Sequence, residues 1–225
     1  MPRTIQTDEP AHSPVRVEAA VPAATGLRIR NVVGNIAVGA VYLAVLVPGA
    51  KSHWGSSAAN QIWFFGSIVI GLLILVRRRT SDYDAGWQSL VSNAGAMITP
   101  LLMRTGAPLG GWPARAAVVI ELAGVIMAQS ARIWMWRSFG VLPANRGVIT
   151  GGPFRIIRHP IYLGWLMLGW GYAIYYPRWI NLALMVVTIP LTIWRINLEE
   201  HLLITDPDYR AYCARVRARL IPGIY

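Results

Sequence analysis

The sequence predicts an all-α fold, a polytopic integral membrane protein with five to six transmembrane helices, and three observations predict it. The first is composition. Of 225 residues, 55% are hydrophobic and only 14% are charged, where soluble domains carry about a quarter charged residues. The second is a series of uncharged runs, each close to the ~20 residues that cross a ~30 Å hydrocarbon layer. The third is where the arginines fall: they gather in every second loop, as the positive-inside rule requires of a chain with both termini cytoplasmic.

Taken in order, residues 1–27 are rich in Pro, Ala, Thr and charge and have no apolar periodicity. They read as a disordered cytoplasmic tail, not a signal peptide, because no early apolar core follows a basic start. Residues 28–136 hold the N-terminal transmembrane helices. Runs 32–47 and 60–76 are free of charge, and Arg77, Arg78 and Arg79 follow at once. Two weaker spans are expected at 85–103 and 114–135. The second of these contains Glu121 and Gln129, which should face the bundle interior. The polar island 136–159 contains Gly140, Gly147, Gly151, Gly152, Pro143 and Pro153, so turns are expected there in place of one long helix. Runs 161–176 and 179–194 form the last two spans, a tight hairpin through Pro177-Arg178. Asp206-Pro207 opens a short basic amphipathic helix over 207–219, suited to lie along an anionic leaflet, and Pro222-Gly223 ends it.

The net charge of +11 invites a nucleic-acid reading, but no nucleic-acid motif accompanies it and the arginines track topology instead. One cysteine, Cys213, excludes an internal disulfide and a cysteine metal site. The four histidines lie far apart without ligand spacing, so no metal is expected.

Chemistry gathers at two places. In "GPFRIIRHPIYLGW" (152–165), proline fixes its own φ, suits a first helical turn and pushes the residue before it out of the α region. His159 should therefore sit just outside a helix that opens at Pro160. It lies at an amide end that suits a carboxylate or phosphate, with Arg155 and Arg158 adding charge. The second place is Glu199-Glu200, at the end of the last span and at the same level across the hairpin. Adjacent carboxylates leaving a membrane helix are costly to bury, and they point about 100° apart, so they cannot act as one acid–base pair. Arg195 lies one turn before Glu199 on the same face. Carboxylates, a helix start and aromatics (Phe154, Tyr162, Trp194) would suit a ligand with an ammonium, a carboxylate and an aromatic base. S-adenosylmethionine is one such ligand, though the residues alone do not single it out.

"GPFRIIRHPIYLGW", a hairpin, "EE" and "DYRAYCARVRARLIP" together resemble the isoprenylcysteine carboxyl methyltransferase family, membrane enzymes related to the phospholipid N-methyltransferases. The resemblance covers roughly 137–225, and the first 110 or so residues carry no family signature. It implies a methyltransferase region at 137–225 (loop, helical hairpin, C-terminal lid helix) with a cytoplasmic S-adenosylmethionine pocket. Arg146, Gly147, Val148 and Ile149 would line the adenosine. Phe154, Arg158, His159, Pro160, Ile161 and Tyr162 would surround the cofactor, and Glu199 would hold its ammonium. Phe154 stands where the family often has tyrosine. Arg195 would face the methyl acceptor, and Tyr209, Tyr212 and Arg215 would pack the lid. A carboxylate acceptor needs no base; for a thiol or amine, Glu200 or His159 are the candidates. The implied partners are membrane lipids and a lipophilic or prenylated acceptor, with the oligomeric state open. The rivals are a methyltransferase acting on a small thiol or amine lipid, a nicotinamide-dependent membrane reductase, and a non-enzymatic binding protein or transporter. The double glutamate would repel the reductase's phosphate-rich cofactor, and transporters more often place such groups at the bilayer midplane.

Overall fold

The computed structural model describes residues 86–138 and 147–225, besides Gln61 and Ile68. The tail at 1–27, the runs at 32–47 and 60–76, and Arg146 lie outside the described residues. Among those described, every regular element is helical: α1 (Trp87–Leu102), α2 (Gly111–Met135), α3 (Pro160–Tyr175), α4 (Trp179–Leu203) and α5 (Pro207–Arg215). Two of them, α2 and α4, are long and apolar enough to cross a membrane. Helices α1 and α3 have 16 residues each, or ~24 Å at 1.5 Å per residue, short of a ~30 Å core.

The two central helices, α2 and α3, pack antiparallel through glycines. A Cβ on Gly124 would stand 2.6 Å from the Gly164 carbonyl oxygen, and one on Gly164 would stand 2.5 Å from that of Gly124. Seven residues away in both helices, a Cβ on Gly171 would meet the Ala117 carbonyl oxygen at 2.8 Å. In lipid, where water no longer drives helices together, such close backbone approach supplies the packing. Helix α1 lies against α4, joined by the Thr99 and Thr188 hydroxyls at 3.1 Å. Glu121 is buried on α2 as its position required. Exposed tryptophans mark both ends of the bundle, Trp112 and Trp179 at one and Trp134 and Trp136 at the other, matching the interfacial belts of membrane proteins.

The end holding the α3–α4 turn is stitched by a neutral side chain. Asn181, fully buried, accepts from the Arg104 amide at 2.9 Å and donates to the carbonyls of Arg104 (2.9 Å) and Tyr176 (3.0 Å). Buried backbone groups need partners, and one amide serves three of them here. Leu109 N–H also donates to the Tyr175 carbonyl at 2.9 Å, and Arg178 to that of Thr105 at 3.1 Å.

One expectation holds at the other end and one changes. Helix α4 runs past the uncharged stretch to Leu203, carrying Arg195, Glu199 and Glu200 on continuous helix as expected. The terminal helix is shorter than 207–219. Asp206 caps it, its carboxylate accepting from the Asp208 amide at 2.8 Å, but it ends at Arg215, with Val216 extended. The backbone beyond is drawn away to pair with the loop before α3, where Arg158 N–H donates to the Ala218 carbonyl (3.0 Å) and His159 N–H to that of Arg219 (2.9 Å).

Candidate active site at the α3–α4 end

The approach to α3 is anchored on α2. Gly151 and Gly152 lie against the Trp134 ring so closely that any Cβ there would strike it, and Gly152 has φ +57. A short 3-10 turn follows at Gly152–Arg155, and α3 opens at Pro160 with His159 at its N-cap, φ −123 and ψ 58. The proline rule thus places His159 as expected. Its ring, however, turns to α4: Nε2 lies 3.0 Å from Glu200 Oε1.

Glu200 is where four segments meet. Arg158 donates to it twice, from Nε to Oε1 at 2.7 Å and from Nη2 to Oε2 at 3.2 Å. Arg219 in the tail reaches Oε2 from Nε at 2.8 Å, and the Tyr209 hydroxyl stands at 3.5 Å. Bidentate guanidinium–carboxylate pairs are among the strongest polar contacts in proteins. Arg158 also donates from Nη1 to the carbonyls of Val216 and Arg217, both at 2.9 Å. Burial pulls the Arg158 pKa down, but the Glu200 hydrogen bond and charge outweigh it and hold the guanidinium above its usual value. Arg158 and Glu200 are therefore committed to each other and to the tail.

Glu199 takes the other direction. The Tyr162 hydroxyl donates to Glu199 Oε2 at 2.7 Å and accepts from Arg195 Nε at 2.7 Å. Arg195 also lies over the Tyr162 ring, 5.7 Å from its centroid. One hydroxyl on α3 therefore joins the acid and the base of α4, one helical turn apart. The rings continue inward: His159 to Tyr162 at 5.6 Å, and Tyr162 to Trp165 at 6.4 Å.

The remaining residues frame this cluster. Phe154 is buried with Ala131, Tyr209 and Tyr212, and Val148, Ile149 and Ile161 pack against that group. The Tyr212 hydroxyl donates to the Phe154 carbonyl at 2.7 Å, so α5 closes over the loop with its tyrosines inward. Gly147 is left-handed at φ +94, and Pro160 is buried as the first residue of α3. Burial raises the Cys213 thiol above its ordinary value despite the opposing charge of Arg158; the group is half-buried and suited to no nucleophilic task. Sequence reasoning missed Arg219, which also reaches Asn197 Oδ1 at 3.1 Å and the Tyr225 hydroxyl at 2.9 Å. It also missed Arg132, buried at the end of α2. Its signal was available: an arginine near the end of a predicted span.

The arrangement defines a class: a helical membrane protein whose polar groups converge at one end of a hairpin, with aromatic rings between opposite charges. Residues 116–206 match the family model described as phospholipid methyltransferase. The match overlaps the region at 137–225 whose motifs resemble the membrane methyltransferases. Among solved structures, one described as the eukaryotic intramembrane Ras methyltransferase ICMT is similar at 17% identity and TM-score 0.47, over 92% of this chain and 88% of that one. No curated protein matches.

Proposed function

We propose that the chain transfers a methyl group from S-adenosylmethionine to an amphiphilic acceptor at the end of the bundle holding Glu199 and Glu200. The observation that carries this reading is the Arg195–Tyr162–Glu199 chain, with both bonds at 2.7 Å. It holds a carboxylate suited to an ammonium and a guanidinium suited to an anion one turn apart, with ring faces between them that attract a sulfonium. The donor set fits the cofactor's charges: Glu199 would hold its ammonium beside the Tyr162 and Trp165 rings, and the group would supply an electrophilic methyl carbon to the acceptor.

In this reading the chain's own residues do four things. Glu199 binds the ammonium, and Arg195 orients the acceptor headgroup. The rings of His159, Tyr162 and Trp165 shape the space between them and exclude water, so that alignment does most of the work. Arg158, Glu200 and Arg219 position: with its oxygens held by cations, Glu200 fixes the loop and tail and leaves proton removal to others. The loop from Gly147 to Ile149 backs the adenosine side, with α5 and the tail as the cover. We place the catalytic region at 137–225 with α2 as its packing partner, following 1–27 as a tail and 28–136 as membrane helices. This end of the bundle faces the cytoplasm, since Arg155, Arg158, Arg210, Arg215, Arg217 and Arg219 all lie there.

Calorimetry on protein in non-ionic detergent tests the cofactor. S-adenosylmethionine should bind to wild type, and Glu199→Gln should weaken it severely. No binding to wild type, or equal binding to both, ends the proposal. Labelled-methyl transfer into lipid extracts and a panel of acids, thiols and amines then identifies the acceptor.

A further inference from the structure

The tail folds back on itself where it meets α4. Its backbone turns through Pro222, Gly223 and Ile224, with Gly223 left-handed at φ +80. The Tyr225 carbonyl then accepts from the amides of Arg219 (3.0 Å), Leu220 (2.9 Å) and Ile221 (3.0 Å). This return brings the Tyr225 ring to the Arg219 guanidinium, 5.1 Å from the ring centroid. A triangle of hydrogen bonds closes there. Arg219 Nη1 donates to the Tyr225 hydroxyl at 2.9 Å and to Asn197 Oδ1 at 3.1 Å, and the hydroxyl donates to the same Asn197 oxygen at 3.2 Å. Asn197 stands three residues before Glu200 on α4, a spacing that makes the two neighbours on the helix surface. Arg219 spans them, with Nη1 on the amide and Nε on the carboxylate at 2.8 Å.

The Arg219 side chain is 32% exposed. An arginine with that much access to water gains little from one ion pair and loses side-chain entropy in holding it. The amide, the hydroxyl and the ring hold the fork from the solvent side, so that Nε stays on Glu200. Two lines then run from Arg219 to the site. Its carbonyl accepts from the His159 amide at 2.9 Å. Its guanidinium shares Glu200 with the His159 ring, whose Nε2 lies 3.0 Å from the other carboxylate oxygen. His159 is thus held through one tail residue at both its amide and its ring, and that ring lies 5.6 Å from the Tyr162 ring.

We infer that Asn197 and Tyr225 are positioning residues: together they clasp Arg219 onto Glu200, and through Arg219 they hold His159 at the wall of the proposed cofactor site. Opening of this clasp is the local step that lets the cofactor leave. The inference rests on the proposed function for the identity of the ligand and on the tail's own geometry for the clasp. Neither residue was singled out by the motifs. Both act at a distance from the ligand, so their loss changes how long the site stays closed and leaves its donor set intact. Such local openings need far less free energy than global unfolding.

Two measurements on the full chain in non-ionic detergent test this. Limited trypsin digestion after Arg217 and Arg219 reads tail opening, with cleavage after Arg104 at the other end of the bundle as the reference. Release of bound S-adenosylhomocysteine, chased with excess ligand, reads the site. Asn197→Leu should raise tail cleavage about five-fold, the worth of one net hydrogen bond. Release should quicken by a similar factor, with the Arg104 reference unchanged. Asn197→Asp keeps the acceptor oxygen and should return both readings toward wild type. Tyr225→Phe keeps the ring and should give a smaller rise. The double variant Asn197→Leu/Tyr225→Phe should stay within about two-fold of Asn197→Leu, because groups in one hydrogen-bond network are not additive. Unchanged tail cleavage in Asn197→Leu overturns the inference. So does a parallel rise at Arg104, which would mean general loosening, or an Asn197→Asp variant that behaves as Asn197→Leu. Additive losses in the double variant, or faster cleavage with unchanged release, overturn it as well. If Asn197→Leu fails to fold, Tyr225→Phe decides by the same two readings. Failure of S-adenosylhomocysteine to bind wild type strikes the proposed cofactor, while digestion still decides the clasp.

Discussion

The two ends of the helical bundle solve one problem, tying loops to helix ends in lipid, with opposite chemistry. At the α3–α4 turn, Asn181 satisfies three backbone groups and carries no charge. At the other end, Glu200 gathers Arg158, His159 and Arg219 from the loop, the start of α3 and the tail. A neutral amide saturated by backbone has nothing left to exchange with a ligand, so the turn end is a fixed joint. A charged cluster resting on side chains can be rearranged by another ion, and the acid and base beside it, Glu199 and Arg195, share one hydroxyl. The difference separates a joint stitched by a neutral amide from one that, among the described residues, gathers opposite charges.

The comparison can be broken most directly by paired truncation. Glu200→Ala leaves Arg158, Arg219 and His159 without the carboxylate they share and should cost about 3–5 kcal/mol, the range for breaking a buried ion pair. Cofactor binding should be lost with it. Asn181→Ala should cost about 1–3 kcal/mol through unpaired backbone groups, with cofactor affinity unchanged in the fraction that folds. Thermal unfolding and calorimetry read both variants, and equal loss of cofactor binding in the two would erase the distinction between the ends. Next in size is the α2–α3 crossing. Gly164→Ala should cost about 1–3 kcal/mol by overpacking, since the added carbon meets main chain that cannot rotate away. An unchanged unfolding temperature would mean that the helices are less tightly crossed.

A sharper probe of the active end is Tyr162→Phe, which keeps the ring and removes the shared hydroxyl. Cofactor affinity should fall by about ten-fold, the equivalent of a hydrogen bond to a charged group, with little change in unfolding temperature. The smallest effect concerns Cys213. With its pKa raised, less of the thiol is thiolate at pH 8 than in a free cysteine, so iodoacetamide should label it more slowly in native protein than after denaturation. Equal rates would place it in open, ordinary surroundings.

Much of the site was legible in the sequence because local rules govern it. Pro160 dictates a helix start with His159 just outside, whatever surrounds it. The angle between neighbours on a helix already sent Glu199 and Glu200 in different directions, and hairpin length set them level with the start of α3. Which carboxylate pairs with which cation was not legible. Sequence reasoning named Glu200 or His159 as the candidate base for a thiol or amine acceptor, and Arg158 as a cofactor contact. In the fold Glu200 and Arg158 are bound to one another and to the tail, a pairing across 42 residues that no spacing rule encodes.

The sequence by itself determined the helices, their apolar faces, the proline-set start of α3 and the gathering of charge at one end of the hairpin. These follow from φ restriction, helical periodicity and the cost of charge in lipid, all of which act over a few neighbouring residues. Only the tertiary structure decided that Tyr162 bridges Arg195 to Glu199, that the tail ends its helix early to pair with residues 158 and 159, and that Arg132 of α2 lies over Trp165 of α3. Those outcomes depend on which side chains reach one buried volume together, and that is fixed by how α2, α3 and α4 cross.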